Sequence, residues 1–423
     1  MTGKRKKSVC KVSSERIQKD IETLSRISST PAEQGITRIS WTREYAKGTD
    51  YIKQRMEETG LQVWEDELGN VCGLMEGSTG KRVIVTGSHL DTVICSGAYD
   101  GIQGVACAIE AARFLMDNQI KLSHSLEIIG MVEEEGTRTG NVLTGSSYLC
   151  RSLEDEEIPY YKDKDGVALD EMLRQYREEE RVKVARHRAL KEPPAAFIEV
   201  HDEQGPVLEQ KGIEIGIVRK IRGIINFEVR LKGKGGHPGT VPMSLRRDSS
   251  LSAYEVCLKA SRFVEQEYND EATITIGKMK LLPGSGNSIV QETIFSVDIR
   301  FSRQDIGETI ERQVHRYLDE AAGKRGLSVE IKSFTRKSPA PLDEKIIDAI
   351  RKSCLDMDED YLLMDSGAGH DSMNFASICP TAMIFSPCSG GVSHNVEEYV
   401  SEQALEKVTE ALIRTIIRLD KEI

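Results

Sequence analysis

Three histidines and a run of acidic residues stand at the ends of apolar segments, in a pattern suited to holding metal ions. Val83-Ile84-Val85 leads into Gly87-Ser88-His89-Leu90-Asp91, and Leu126 to Val132 leads into Glu133-Glu134-Glu135. Phe197-Ile198-Glu199-Val200 leads into His201, and Ala382-Met383-Ile384-Phe385 leads into a Ser/Gly-rich loop with His394. Each apolar segment reads as a buried β-strand. In an open α/β sheet ligands bind beyond the carboxyl ends of the strands, so four such ends describe one crevice.

The chemistry follows from the residue types. His89 and Asp91, in H-x-D spacing, let an imidazole bind an ion while the carboxylate takes its other N–H. Three adjacent carboxylates at Glu133, Glu134 and Glu135 repel one another unless positive charge offsets them, and divalent ions supply that charge. One carboxylate can hold an ion while its neighbour takes a proton from water, as a metal hydrolase requires. Asp100 heads a helix predicted from Ile102, Val105, Ala106, Ile109 and Ala112; there it can bridge two cations or simply cap the helix. Mixed nitrogen and oxygen ligands suit zinc, manganese, cobalt or nickel rather than calcium or magnesium.

The elements that must position these groups are also legible. Ile17, Ile21, Leu24 and Ile27 predict a helix from Ser14, and a second helix is expected around Tyr51 to Thr59, stopped by Gly60. From about Arg222 the period becomes two. Ile225 to Leu231, Ala272 to Gly277, Thr293 to Phe301 and Leu327 to Ser333 read as strands, with helices at about Leu245 to Glu267 and Asp305 to Ala322. The expectation is an α/β protein whose catalytic domain, residues 1–221 and 336–423, has a mostly parallel sheet flanked by helices. A ferredoxin-like βαββαβ domain, residues 222–335, is inserted in it. The stretch from Arg151 to Lys191 is heavily charged, and within it Leu169 to Lys191 reads as a mostly exposed helix or helix pair without assigned chemistry. His124, His187 and His315 lie outside every motif and read as surface residues.

Bulk properties narrow the partners. A chain of 423 residues exceeds what one hydrophobic core usually supports. A formal charge of −11 argues against nucleic acid or an anionic membrane as main partner, and no stretch is apolar enough to span a bilayer. Lys4-Arg5-Lys6-Lys7 lacks the apolar stretch of a signal peptide, and nine scattered cysteines without a CxxC pair read as reduced thiols, so a cytoplasmic location is expected.

Taken together, G-S-H-L-D-T, Y-D-G-I-Q-G, E-E-E-G-T-R, H-D-E-Q-G-P-V-L-E, G-G-H-P-G-T-V-P-M, D-I-R-F, S-G-A-G-H-D and G-G-V-S-H-N resemble the hydantoinase/carbamoylase family of metal-dependent amidohydrolases. That family includes N-carbamoyl-L-amino acid hydrolases, β-ureidopropionase and allantoate amidohydrolase, within the dinuclear-zinc peptidase superfamily. The resemblance implies two divalent ions per subunit, zinc foremost: one on His89, Asp100 and His201, the other on Asp100, Glu135 and His394. It makes Glu134 the general base, with Asp91 assisting, and leaves Glu133 spare.

It also implies that the inserted domain is a lid and homodimerisation domain, whose His237 reaches the partner subunit's active site to steady the tetrahedral intermediate. Gln204, Asn287 and Arg300 would bind substrate, Arg300 gripping its carboxylate, while Gly369 and His370 line the pocket. Arg300 alternates with Val297, Ile299 and Phe301, so it belongs to a polar strand face, and His237 lies in a loop too glycine-rich for a core. The implied reaction cleaves the carbamoyl C–N bond of an N-carbamoyl-L-amino acid or similar small ureido carboxylate, with release of ammonia and carbon dioxide. Allantoate is the alternative substrate, and a dipeptide or acylamino acid a more distant one. One departure is visible: Asp202 follows His201 where the family commonly has an apolar residue.

Overall fold

The computed structural model describes residues 11–180, 182, 190 and 192–423, so Lys4-Arg5-Lys6-Lys7 and His187 lie outside the described residues. The chain divides into two compact units, one made of the chain up to Arg219 and from Pro341 to Ile423, the other of Lys220–Ala340.

The first unit is built on a nine-stranded sheet. Along it run Gln62–Glu65, Val71–Met75, His124–Met131, Lys81–His89, Ala196–Asp202, Thr381–Ser386, Gly216–Ile221 and Ala340–Pro341, with Leu362–Ser366 also paired to Gly216–Ile221. The four strands that the sequence singles out are consecutive and mutually parallel: His124–Met131, Lys81–His89, Ala196–Asp202 and Thr381–Ser386. Their carboxyl ends therefore fall on one edge. Ala196–Asp202 and Thr381–Ser386 are buried along their whole length, as expected of parallel strands covered on both faces.

Helices cover the sheet. Ser14–Ser25, capped by the Ser13 hydroxyl on the Arg16 N–H, buries Ile17, Ile21 and Leu24. Arg43–Glu58, capped by Thr42, is the second helix, longer at its start than the apolar spacing suggested. Ile102–Asp117 is buried nearly all round, and its alanines let it lie close on the central strands. Within the described residues the charged segment departs from expectation: Leu169–Glu179 is a helix whose Leu169, Met172, Leu173 and Tyr176 are buried, an apolar stripe at helical spacing beneath a charged outer face, while most of the expected continuation to Lys191 lies outside the described residues. His124 is also no surface residue. It is 3% exposed, with Nδ1 3.0 Å from Asp420 Oδ1, because the C-terminal helix Glu402–Glu422 brings that carboxylate to the strand's start.

The second unit is an antiparallel sheet in the order Ser328–Lys337, Gly223–Lys232, Glu292–Phe301 and Ala272–Thr275, with Met279–Leu282 also on Glu292–Phe301. Helices Ser249–Glu267 and Gln304–Arg325 pack on it over Phe227, Phe295, Val297 and Phe301. The second strand is split into two short pieces. Ser328–Lys337 bulges between Ser333 and Thr335 and then keeps pairing with Asn226, Ile225 and Ile224, which carries this unit to Ala340 rather than residue 335. His315, half-buried, packs edge-on against Phe227 instead of facing solvent.

Candidate metal centre

The chain leaves Lys81–His89 at His89 and returns to the sheet edge at Asp100, two residues before the first residue of the helix Ile102–Asp117. Gly101, with φ 68°, begins that helix; a Cβ there would lie 2.4 Å from the His89 ring, so only glycine lets the two meet. Asp100 is not the helix cap. No side chain caps this helix, and the Asp100 carboxylate faces the imidazoles instead.

Three imidazoles converge on that carboxylate. Asp100 Oδ1 is 3.2 Å from His201 Nε2 and 3.5 Å from His89 Nε2, while Oδ2 is 3.1 Å from His394 Nε2. Glu135 Oε1 is 3.5 Å from His394 Nε2, and Glu134 Oε2 is 4.0 Å from His89 Nε2. Ligand atoms of His89, Asp100 and His201 lie within 4.8 Å of one another, as do those of His89, Glu134 and Glu135, and of Asp100, Glu135 and His394. The first and third groups are the two sets implied by the family resemblance.

The imidazoles are oriented from behind. His89 Nδ1 is 3.0 Å from the Asp91 carbonyl and His201 Nδ1 is 3.0 Å from the Asp202 carbonyl, which puts the proton on Nδ1 and frees Nε2 for an ion. The expected role of the Asp91 carboxylate is thereby corrected. It stands 3.9 Å from His89 Nδ1 and instead accepts the backbone N–H groups of Glu134 (3.0 Å) and Glu135 (3.2 Å), fixing the acidic strand end. Asp202, the departure from the family pattern, is fully buried with Oδ1 3.1 Å from His201 Nδ1, placing a second anion behind that imidazole.

The electrostatics show what the cluster lacks. Burial raises the Glu135 carboxyl to about 8, with Asp100 adding to the rise, and its buried Oε1 has no hydrogen-bond partner among the described residues. Burial likewise carries Glu134 well above the carboxylate range, His89 opposing and Glu135 reinforcing. Asp100 is the exception: burial would raise it, but hydrogen bonds from His201, His394 and His89 hold it well below 3.8. Its hydrogen bond lifts His394 to about 9, against burial. His201 also rises although burial opposes it, through Asp100 and Asp202. Carboxyls raised by burial beside imidazoles raised by a shared carboxylate mark a buried cluster of donors that added positive charge would stabilise, and divalent ions fit it.

Backbone strain collects here as well. Glu133, Gln204 and His394 all take left-handed conformations, with φ of 56°, 54° and 56°. The spare Glu133 is structural: its Oε1 accepts the N–H groups of Arg138 and Thr139 and the Thr139 hydroxyl, holding the following loop.

Gln204 Nε2 donates to Asp100 Oδ2 at 3.2 Å, so the structure brings it to the cluster. His370 is buried, its ring 4.6 Å from that of His201 and its Nε2 2.8 Å from the Ser366 hydroxyl; it supports His201 rather than opening onto solvent, while the adjoining Gly369 is half-buried. In the second unit His237 is exposed and its Nδ1 accepts the Gly239 N–H, leaving Nε2 as a donor. Asn287 is exposed on its loop, and Arg300 lies on the polar face of Glu292–Phe301.

Two residues that carry no motif signal also serve the site. Arg38, 1% exposed, donates from Nε to the Leu90 carbonyl (2.8 Å) and from Nη1 to Leu24 (2.9 Å), pinning the turn between His89 and Asp91; burial lowers it only to about 10, so it stays charged. Glu398 is the other, held between Asp100 and His394. Only contacts that join residues far apart in the chain reveal them.

An open sheet whose four central strands are parallel, with imidazoles and carboxylates gathered at their carboxyl ends, is the architecture of a metal-dependent hydrolase. The chain belongs to the peptidase family M20/M25/M40, whose model matches residues 85–418. It is 35% identical over 415 residues to an N-carbamoyl-L-amino-acid amidohydrolase of Paenarthrobacter aurescens, covering 97% of this chain and 99% of that protein. It is 33% identical over 404 residues to an allantoate amidohydrolase of Bacillus subtilis (strain 168), covering 94% and 96%. Among solved structures, a hydantoinase/carbamoylase family amidase from Burkholderia multivorans superposes with a TM-score of 0.89 at 28% identity, over 98% of this chain and 99% of that one.

Proposed function

We propose that this chain is a dinuclear metal amidohydrolase that cleaves the carbamoyl C–N bond of an N-carbamoyl-L-amino acid or a similar small ureido carboxylate. His89, Asp100 and His201 would hold one ion, and Asp100, Glu135 and His394 the other, zinc being the first expectation and manganese, cobalt or nickel also suited to the donors. When bound, the ions supply acidity to a water and polarisation to the substrate carbonyl. The observation behind this reading is the convergence of three Nε2 atoms on Asp100 beside a Glu134 carboxylate that no hydrogen bond ties up among the described residues.

Glu134 takes one proton from the attacking water and delivers it to the departing nitrogen, while the Nε2–H of His237, reaching in from the other subunit of the dimer, steadies negative charge on the substrate oxygen. Gln204, Asn287 and Arg300 bind the substrate, Arg300 through its carboxylate. Gly369 lines the pocket, and His370 shapes it from behind through its contact with His201. One water is consumed; the amino acid, ammonia and carbon dioxide balance it. A ureide such as allantoate is the second reading, favoured by the identity to the Bacillus enzyme.

Lys220–Ala340 acts as a lid and as the contact surface of a homodimer. Helix Ser249–Glu267 leaves Leu251, Tyr254 and Leu258 exposed at helical spacing, and Met243 and Leu245 before it are more exposed still. A cytoplasmic location belongs to the same proposal, since the cysteines among the described residues are free thiols. Among those residues no helix is long and apolar enough to cross a membrane.

Ammonia release from N-carbamoyl-L-amino acids, 3-ureidopropionate, ureidoglycolate and allantoate, before and after metal is stripped and restored, tests this function. Metal-dependent turnover of a carbamoyl amino acid is expected. Turnover of allantoate alone selects the second reading, and no ammonia from any of them sinks both.

A further inference from the structure

Glu398 is 4% exposed and joins two loops that come from opposite parts of the chain. Its Oε1 accepts the backbone N–H groups of Tyr99 (2.7 Å) and Asp100 (2.9 Å). Its Oε2 accepts the Ser393 hydroxyl (3.1 Å) and the His394 N–H (3.2 Å). Two carboxylate oxygens thus take four donors, which fills most of the acceptor capacity of an ionised carboxylate. The fit is close: a Cβ on Gly97 would lie 2.2 Å from the Glu398 Cβ, so the loop passes only because that position is glycine.

The residues it grips are the shared carboxylate Asp100 and the imidazole His394, whose side chains meet at 3.1 Å. Ser393 also accepts from Gln204 Nε2 at 3.2 Å, so the same carboxylate sets the hydroxyl against which Gln204 is oriented. His201, in contrast, is the penultimate residue of a buried strand and His89 the last of another, each with its own carbonyl partner behind it. The two halves of the centre are therefore held by different means. His89 and His201 are fixed by the sheet. His394, in a loop with φ 56° and 48% side-chain exposure, has no strand beneath it.

We propose that Glu398 is a positioning residue that fixes the spacing between Asp100 and His394, and so sets the affinity of the ion held by Asp100, Glu135 and His394 more than that of the ion held by His89, Asp100 and His201. It does not touch substrate. This inference rests on the two-ion assignment above.

The test is a chelator-competition titration of zinc and of cobalt(II) into the full-length apo-protein, parent and Glu398→Gln. Glutamine keeps the size and one acceptor oxygen, but it presents an amide to donors that cannot all be accommodated. The parent is expected to bind two ions. In Glu398→Gln one of the two affinities should fall about 10- to 100-fold, the range for partners that orient metal ligands, while the other changes less than about threefold. The cobalt absorption should change for the weakened ion only.

Equal weakening of both ions, or no weakening of either, overturns the inference, the first because it marks a general structural role. A parent that binds no pair of ions overturns the two-ion reading instead. Should Glu398→Gln not fold, Ser393→Ala, which removes one of the four donors, is read in the same way: selective weakening of one ion is expected, and an unchanged or uniform response counts against the proposal.

Discussion

Asp298 takes two corners of the Arg300 guanidinium, with Oδ1 2.7 Å from Nε and Oδ2 3.2 Å from Nη2. The pair is two residues apart on one strand face, and Asn226 Nδ2, on the neighbouring strand, donates to Asp298 Oδ2 at 3.1 Å. The guanidinium plane is therefore fixed, and Nη1 has no hydrogen-bond partner among the described residues. A fork held in one orientation loses little entropy when it grips a second carboxylate. Arg300→Ala should raise KM for carboxylate-bearing substrates about 10- to 100-fold, the worth of a charge-assisted bond, with a smaller effect on kcat. Steady-state kinetics decides this, and an unchanged KM would place the grip on another residue.

Glu134→Gln keeps the shape of the acidic strand end and removes the proton acceptor. Its kcat should fall by about two to four orders of magnitude, the usual contribution of a general base, while metal content by elemental analysis stays at the parent value. Substantial turnover in this variant would remove Glu134 from the proton-transfer role.

Metal removal should cost stability as well as activity. Without ions Glu134 and Glu135 are both pushed above the ordinary carboxylate range, with burial the main cause for both. An ion present at about a hundred times its dissociation constant stabilises the folded state by about 2.7 kcal/mol, so melting temperature should rise when zinc, cobalt or manganese is returned to stripped protein. A melting curve indifferent to all three would contradict the site.

A pH effect is expected away from the centre. Burial, reinforced by Asp66, raises Glu127 from 4.5 to about 8, and its Oε1 lacks a hydrogen-bond partner among the described residues. A carboxyl raised in the folded state stabilises fully below its unfolded pKa, and that stability is lost as pH rises through the folded value. The loss attached to Glu127 thus spans about pH 4.5 to 8. Relative to parent, Glu127→Gln should gain melting temperature between pH 5.5 and pH 8.5. A difference that is flat across that interval would show that Glu127 ionises normally.

The apolar stripe on Ser249–Glu267 gives a test of assembly. Leu258, 58% exposed, placed as glutamate would set like charges against each other across a two-fold contact. Leu258→Glu should sediment as a monomer where the parent sediments as a dimer. A parent that is monomeric at micromolar concentration removes the homodimer from the proposal.

Much of the centre was readable because chemistry and periodicity coincide. Apolar runs, broken in the first only by Glu199, mark Ala196–Asp202 and Thr381–Ser386 as buried parallel strands, and a candidate ligand stands at or beyond each end. Three kinds of information were not readable. The Asp91 carboxylate was paired with His89 by spacing, but the turn gives that N–H to the Asp91 carbonyl and sends the carboxylate across to the next strand. Leu169, Met172, Leu173 and Tyr176 are too few among charged neighbours to announce a buried face. Glu398, Arg38 and the His124–Asp420 pair act through partners distant in the chain, which no local pattern encodes.

Ala196–Asp202 gains its parallel neighbour Thr381–Ser386 only after the whole intervening stretch has been made. At a translation rate of about 5–20 residues per second, that wait lasts about 10–40 s on the ribosome. His201 spends it beside an unfinished sheet edge, with His394 still untranslated. The proposed second ligand set, which needs His394, is therefore complete only once synthesis has passed that residue, whereas His89, Asp100 and His201 are all present long before it.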